Sequence, residues 1–144
     1  MSVVVIDDHL LGDVVGGMVP TALATLVRQN VIATTNLYYY RLCRAALVAR
    51  GGALTGSWSP ERREQAARAL VALSPEIEVL PIRALAFRIA ELARDHQLST
   101  LGAEAVAAAE ARDGSLFVWE GDDGTNIRAC CEAVGVAYRT IARE

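Results

Sequence analysis

The chain has 144 residues, 53% of them hydrophobic, enough for one domain with one buried core and too few for a second independent one. A formal net charge of -3 and a pI near 5.4 give no global field that attracts polyanions, so nucleic-acid binding would need a local basic patch. Arg, Asp, Glu or Gly interrupts every apolar stretch within a few residues, which excludes a membrane-crossing run of about 20 residues.

The opening MSVVVIDDHLL carries acids where a secretory signal would have its apolar centre, and no basic region precedes them, as expected of a cytoplasmic protein. Val3 to Ile6 are β-branched without alternation, the pattern of a strand buried on both faces in a parallel sheet. The strand stops at Asp7-Asp8-His9. An amphipathic segment runs to about Val15, and Pro20 then opens a helix through Arg28. Val31-Ile32-Ala33 is the second expected strand. Thr34-Thr35-Asn36 then caps a helix from about Leu37 to Arg50.

Residues 51–59 form a Gly-rich loop, and Ser59-Pro60-Glu61 starts a helix that turns Ala66, Ala69, Leu70 and Leu73 inward. Glu78-Val79-Leu80 is a brief third strand. Pro81 opens a helix to His96, and an Ala-rich helix spans Leu98 to Arg112, ended by Asp113-Gly114. Leu116 to Trp119 is the fourth strand, followed by a helix to Ala133 and an edge strand at Val136-Ala137-Tyr138. Strands alternating with helices predict an α/β domain: a three-layer α/β/α arrangement around a short parallel sheet of about five strands, residues 1–144 forming one unit. Ligands of such sheets sit beyond the carboxyl ends of the strands, where strand order reverses.

Those positions hold Asp7 and Asp8 after the first strand, and Glu120, Asp122 and Asp123 after the fourth. Glu104 lies on the first turn of the helix before the fourth strand. If the first and fourth strands are neighbours, these carboxyls converge. Converging like charges raise one another's pKa and call for a divalent cation or open water; Mg²⁺ or Mn²⁺ suits an all-oxygen set.

The pattern resembles the PIN-domain family, which includes VapC-like toxin ribonucleases, along nearly the whole chain. The likeness is carried by the opening strand with Asp7 directly after it and by Thr34-Thr35 leading into a helix. It continues through Leu98 to Glu110 followed by Leu116-Phe117-Val118-Trp119-Glu120, and the closing Ala133-Val134-Gly135-Val136. Its toxin members are endoribonucleases in which three or four acids hold one or two metal ions, polarising a phosphodiester and generating hydroxide from water. The resemblance implies a PIN-like fold, catalytic roles for Asp7 and Glu120, and a homodimer. It also implies RNA as substrate and a cognate antitoxin as partner.

The acidic set departs from the family's. Glu120 stands where Asp is usual. The second acid should fall near Tyr39, Tyr40 or Arg41, yet no acid occurs between Asp13 and Glu61. The third should open the helix before the fourth strand, where Gly102-Ala103 stand; Glu104 comes two residues late, a rotation of about 200° on a helix. Val118 replaces the usual Thr or Ser. A rebuilt metal site would draw on Asp7, Asp8, Glu104, Glu120 and Asp123.

Several of these residues have simpler readings. Asp8 suits a helix cap, and Asp122-Asp123-Gly124 has the chemistry of a turn followed by a cap. His9 could serve as an acid-base group or a surface hydrogen-bonding residue, and His96 sits where a helix dipole accounts for it. Tyr38-Tyr39-Tyr40-Arg41, with Arg44 one turn on, cannot bury all three rings on one face. Tyr40, Arg41, Arg44 and His9 are therefore candidate substrate-binding groups, the ring stacking on a base and the cations binding phosphate. Core and interface roles for these rings stay open. Arg62, Arg63 and Arg68 read as a solvated helix face, and Trp58 as a lid over the core or a partner-binding residue. Cys43, Cys130 and Cys131, odd in number with one adjacent pair, suit neither a disulfide framework nor a spaced zinc site. Two functions compete: an Mg²⁺- or Mn²⁺-dependent endoribonuclease with a depleted site, and a PIN-like binding module with weak or lost catalysis.

Overall fold

The computed structural model describes residues 1–48 and 54–143. The elements in chain order are β1 (Val3–Ile6), α1 (Asp8–Val15), α2 (Thr21–Gln29), β2 (Val31–Thr34), α3 (Asn36–Leu47), α4 (Pro60–Val71), β3 (Glu78–Val79), α5 (Ile82–His96), α6 (Thr100–Ala111), β4 (Ser115–Trp119), α7 (Thr125–Val134) and β5 (Ala137–Ile141). A single 3₁₀ turn, Glu120–Asp122, follows β4.

The strands form one sheet of five in the order β3-β2-β1-β4-β5, with every pairing parallel. β1 lies at the centre and is buried along its whole length. Each of its aliphatic side chains contributes roughly 2 kcal/mol by leaving water. Alternation along β1 feeds two cores. Val3 and Val5 join Leu116, Val118, Leu92 and Val106 beneath α5, α6 and α7. Val4 and Ile6 join Leu10, Leu23, Leu42 and Trp119 beneath α1 to α4. The result is the expected three-layer α/β/α arrangement.

Small side chains make α6 the central helix of its layer. Ala103, Ala105, Ala107, Ala108 and Ala109 are all buried, so its backbone lies close to the sheet and to α5. Arg88 on α5 clamps Glu110 on α6 with two hydrogen bonds of 2.7 and 2.9 Å. The link from α6 into β4 is equally tight. A Cβ on Gly114 would lie 2.6 Å from the Val3 carbonyl oxygen, so this residue has to be glycine for β4 to seat against β1.

Boundaries shift by small amounts with identifiable causes. Ser99, rather than Leu98, begins α6, its hydroxyl accepting from the Gly102 N–H. α3 ends at Leu47, where Val48 turns extended; the expected end at Arg50 and residues 51–53 of the loop lie outside the described residues. β5 runs to Ile141 because it pairs with β4 along five residues, from Ser115 with Ala137 to Trp119 with Ile141.

Trp58 belongs to the core, 8% exposed, with the Arg62 guanidinium 4.1 Å over its ring. Arg62 thus corrects the reading of a solvated face. It also binds Asp13 at 2.9 Å, whereas Arg68 pairs with Glu64 in solvent as expected. The three cysteines are free thiols, Cys130 and Cys131 buried and Cys43 half-buried. Among the described residues, no helix is long and apolar enough to cross a membrane.

Candidate functional site

Strand order reverses between β1 and β4, since the chain builds outward to β2 and β3 and then returns to the other side of β1. The crevice beyond the carboxyl ends of these two strands is where parallel sheets place ligands. Ile6 is in register with Phe117. Asp7 therefore leaves the sheet beside Val118, and Glu120 leaves the same edge two residues further along.

Asp7 is 5% exposed and caps α1, its Oδ1 accepting from the Leu10 N–H at 2.9 Å. Burial pushes its carboxyl up to about 7, with further upward pressure from Asp8, Asp122 and Asp13. Asp8 begins α1 and is equally buried. Desolvation raises its pKa against the opposing pull of Arg41. The Arg41 Nη1 lies 2.9 Å from Asp8 Oδ2, yet that oxygen makes no hydrogen bond. The contact is an ion pair without an aligned N–H. Tyr38 is buried beside these acids, and its hydroxyl is held well above the ordinary phenol range by desolvation and by the charges of Asp7 and Asp8.

Glu120 stands exposed at the lip. On the same 3₁₀ turn it is Asp122 that acts on Asp7, and Asp122 also lies 3.8 Å from His9 Nδ1. From the sequence, Asp122 stands among the acids after the fourth strand but outside the expected metal set, with turn chemistry as its simpler reading. Its signal was the i, i+2 spacing from Glu120, which a 3₁₀ turn rotates by about 240°, so that the two exposed acids take different directions and Asp122 approaches His9.

Two of the expected metal ligands are committed elsewhere. Glu104 is fully buried. Its Oε2 accepts from the Asn36 N–H at 3.1 Å and from Asn36 Nδ2 at 2.7 Å, and Oε1 accepts from the Leu37 N–H at 2.9 Å. It thus satisfies the open N–H groups at the start of α3, together with Thr35, whose hydroxyl accepts from the Tyr38 N–H. Asp123 binds Arg128 at 2.8 Å, and that guanidinium lies 4.7 Å over the Tyr138 ring, so Asp123 is tied to α7 and β5. Among the substrate-binding candidates, Arg41 is drawn into the acidic mouth. Tyr40 projects 61% exposed beside it, and Arg44 is exposed on the next turn of α3.

Asp13 is a further buried acid that sequence reading passed over. Its Oδ2 accepts from the Trp119 indole at 2.9 Å and lies 3.5 Å from Arg143, while Oδ1 takes Arg62. The signal was an acid among the apolar residues of α1, and a buried indole needing an acceptor.

These donors fit a resident Mg²⁺ poorly. Magnesium requires near-octahedral oxygen coordination and depends on carboxylate charge, but one Asp7 oxygen caps α1, Asp8 faces Arg41, and Glu104 and Asp123 serve neighbouring helices. Among the described residues, no three His, Cys, Asp or Glu side chains form a metal-binding group.

The architecture and this edge define an α/β protein whose acidic crevice lies at the switch point of a parallel sheet. Among solved structures the chain is similar to the crystal structure of PAE2754 from Pyrobaculum aerophilum. The two share 15% identity at a TM-score of 0.51, with 98% of this chain and 89% of that one covered. At that identity the likeness shows the fold alone. No family model matches the chain, and no curated protein does.

Proposed function

We propose that the chain is a PIN-like protein of ribonuclease or toxin lineage whose metal-dependent endoribonuclease activity is weak or lost, and that it works as a cytoplasmic binding module. The observation that carries this reading is the Arg41–Asp8 ion pair at 2.9 Å. It puts a cation at the mouth, within the stretch where the family's second acid would fall. The rim beside it suits single-stranded RNA: the exposed Tyr40 ring offers a base a stacking surface, and Arg44 offers phosphate a cation. Arg44 makes no ion pair among the described residues. On α5, Ile82 and Phe87 are 46% and 80% exposed, apolar surface that supports a homodimer as part of the proposal.

The test is a labelled single-stranded RNA followed by fluorescence anisotropy and by gel. The protein is expected to bind it in EDTA and leave it full length when Mn²⁺ is supplied. Tyr40→Ala and Arg44→Ala are each expected to weaken binding about tenfold. Cleavage in Mn²⁺ that Asp7→Asn abolishes would overturn the proposal and establish the second reading, an active Mg²⁺- or Mn²⁺-dependent toxin nuclease. What favours that second reading is Asp122, a further acid at this edge that lies within 3.8 Å of His9. In that event a cognate antitoxin becomes the expected protein partner.

A further inference from the structure

We infer that Arg41 is a built-in cation of the acidic mouth that excludes divalent metal, so that a metal ion and the Arg41–Asp8 pair cannot occupy it together. The inference rests on the reading of this edge as a depleted PIN-like site.

Three observations lead to it. First, the crevice gathers Asp7 and Asp8, only 5% and 3% exposed, with Asp122, on the turn after β4, 3.8 Å from His9. Buried carboxyls in such proximity require a countercharge. Second, the countercharge in contact with Asp8 comes from α3, which closes the crevice from the side. Third, that countercharge is imperfectly fitted: Asp8 Oδ2 is buried without a hydrogen bond although Nη1 is 2.9 Å away. The oxygen is therefore buried against a charge that offers it no aligned N–H, and a hard cation, which needs no such alignment, would compete for it.

Arg41 is also able to leave. Its side chain is 47% exposed against 4% for Asp8, so its guanidinium can return to water while the carboxyl cannot. Asp8 would then lose the cation in contact with it, with Asp7 buried beside it. A divalent ion supplies two charges where the guanidinium supplied one, and it takes oxygen donors from several directions at once. A guanidinium is planar and donates only along its N–H bonds. Asp7, which keeps one oxygen beyond its cap to Leu10, is the buried acid next to Asp8, and water would supply the remaining positions of such an ion.

The experiment is calorimetric Mn²⁺ titration of the full chain in four forms: wild type, Arg41→Gln, Arg41→Lys and the double variant Arg41→Gln with Asp8→Asn. Glutamine keeps length and an amide donor while removing the charge, and circular dichroism reports whether each variant folds. Arg41→Gln is expected to bind Mn²⁺ at least about tenfold more tightly than wild type. Arg41→Lys should resemble wild type, and the double variant should lose the gain. Equal affinities for wild type and Arg41→Gln would overturn the inference. Should Arg41→Gln be unfolded without metal, Mn²⁺ is expected to restore its folded spectrum, and failure to do so counts against the inference equally. The variant-to-wild-type ratio judges Arg41, whereas RNA cleavage by the wild type judges the proposed function, so the two can fail separately.

Discussion

At the scale of single residues, the acidic crevice is defined by what each carboxyl is already doing. Asp7 carries the clearest consequence. Its pKa rises from 3.8 to about 7 on folding, so between those values the folded state keeps a proton that the unfolded chain releases. Stability must therefore fall as pH rises from about 4 to about 7, and it should level off above that. Asparagine retains the oxygen that caps α1 and removes the ionisation. In EDTA, Asp7→Asn is expected to gain about 2–4 kcal/mol on wild type between pH 4 and pH 8 in denaturant melts. Parallel profiles would show that the Asp7 carboxyl is solvated rather than buried.

Asp7 was legible in the sequence as the acid at the end of a β-branched run, a weak signal alone that gained weight from the helix-strand-acid pattern near the other end of the chain. The approach of Asp122 to His9 was not legible, because it depends on the 3₁₀ geometry of Glu120–Asp122, which neighbouring residues alone do not dictate. Arg41 could be recognised as standing near a missing acid. That it reaches Asp8 follows only once α3 is packed beside α1.

At the scale of elements, Glu104 shows how a residue that resembles a ligand in sequence can be a structural strut. It lies one turn inside α6, yet both its oxygens serve the first turn of α3. Glu104→Ala would leave these part-buried N–H groups without acceptors. A loss of about 3 kcal/mol in chemical denaturation is expected, with α3 the first segment to lose amide-exchange protection. Unchanged stability would mean that water replaces the carboxyl without cost. The α6–β4 junction makes a second prediction. Gly114→Ala places a methyl group against the Val3 carbonyl and should cost about 2 kcal/mol or more, because the obstacle is backbone and cannot swing aside. A neutral effect would require β1 and β4 to be less closely seated than they are here. Most elements could be read from sequence to within a residue or two. The exceptions, such as the greater length of β5, depend on a partner strand distant in the chain.

At the scale of the whole molecule, the central strand organises everything else. β1 supplies both cores by alternation, and its two neighbours define the edge where Asp7 and the turn after β4 meet. The alternation of strand and helix was sufficient to predict the three layers. It could not reveal that the crevice carries its own countercharge, since that requires α3 to arrive at the same edge from the other side of β1. The mouth is thus acidic in sequence but partly neutralised in space, and Tyr40 and Arg44 stand exposed on the same helix as Arg41.

The most direct test of this account is an anomalous-scattering map from crystals of the wild-type protein soaked in Mn²⁺. The account predicts no anomalous peak between Asp7 and Asp122, with the Arg41 guanidinium remaining against Asp8. A strong peak bridging those carboxyls, with Arg41 turned out into solvent, would contradict it.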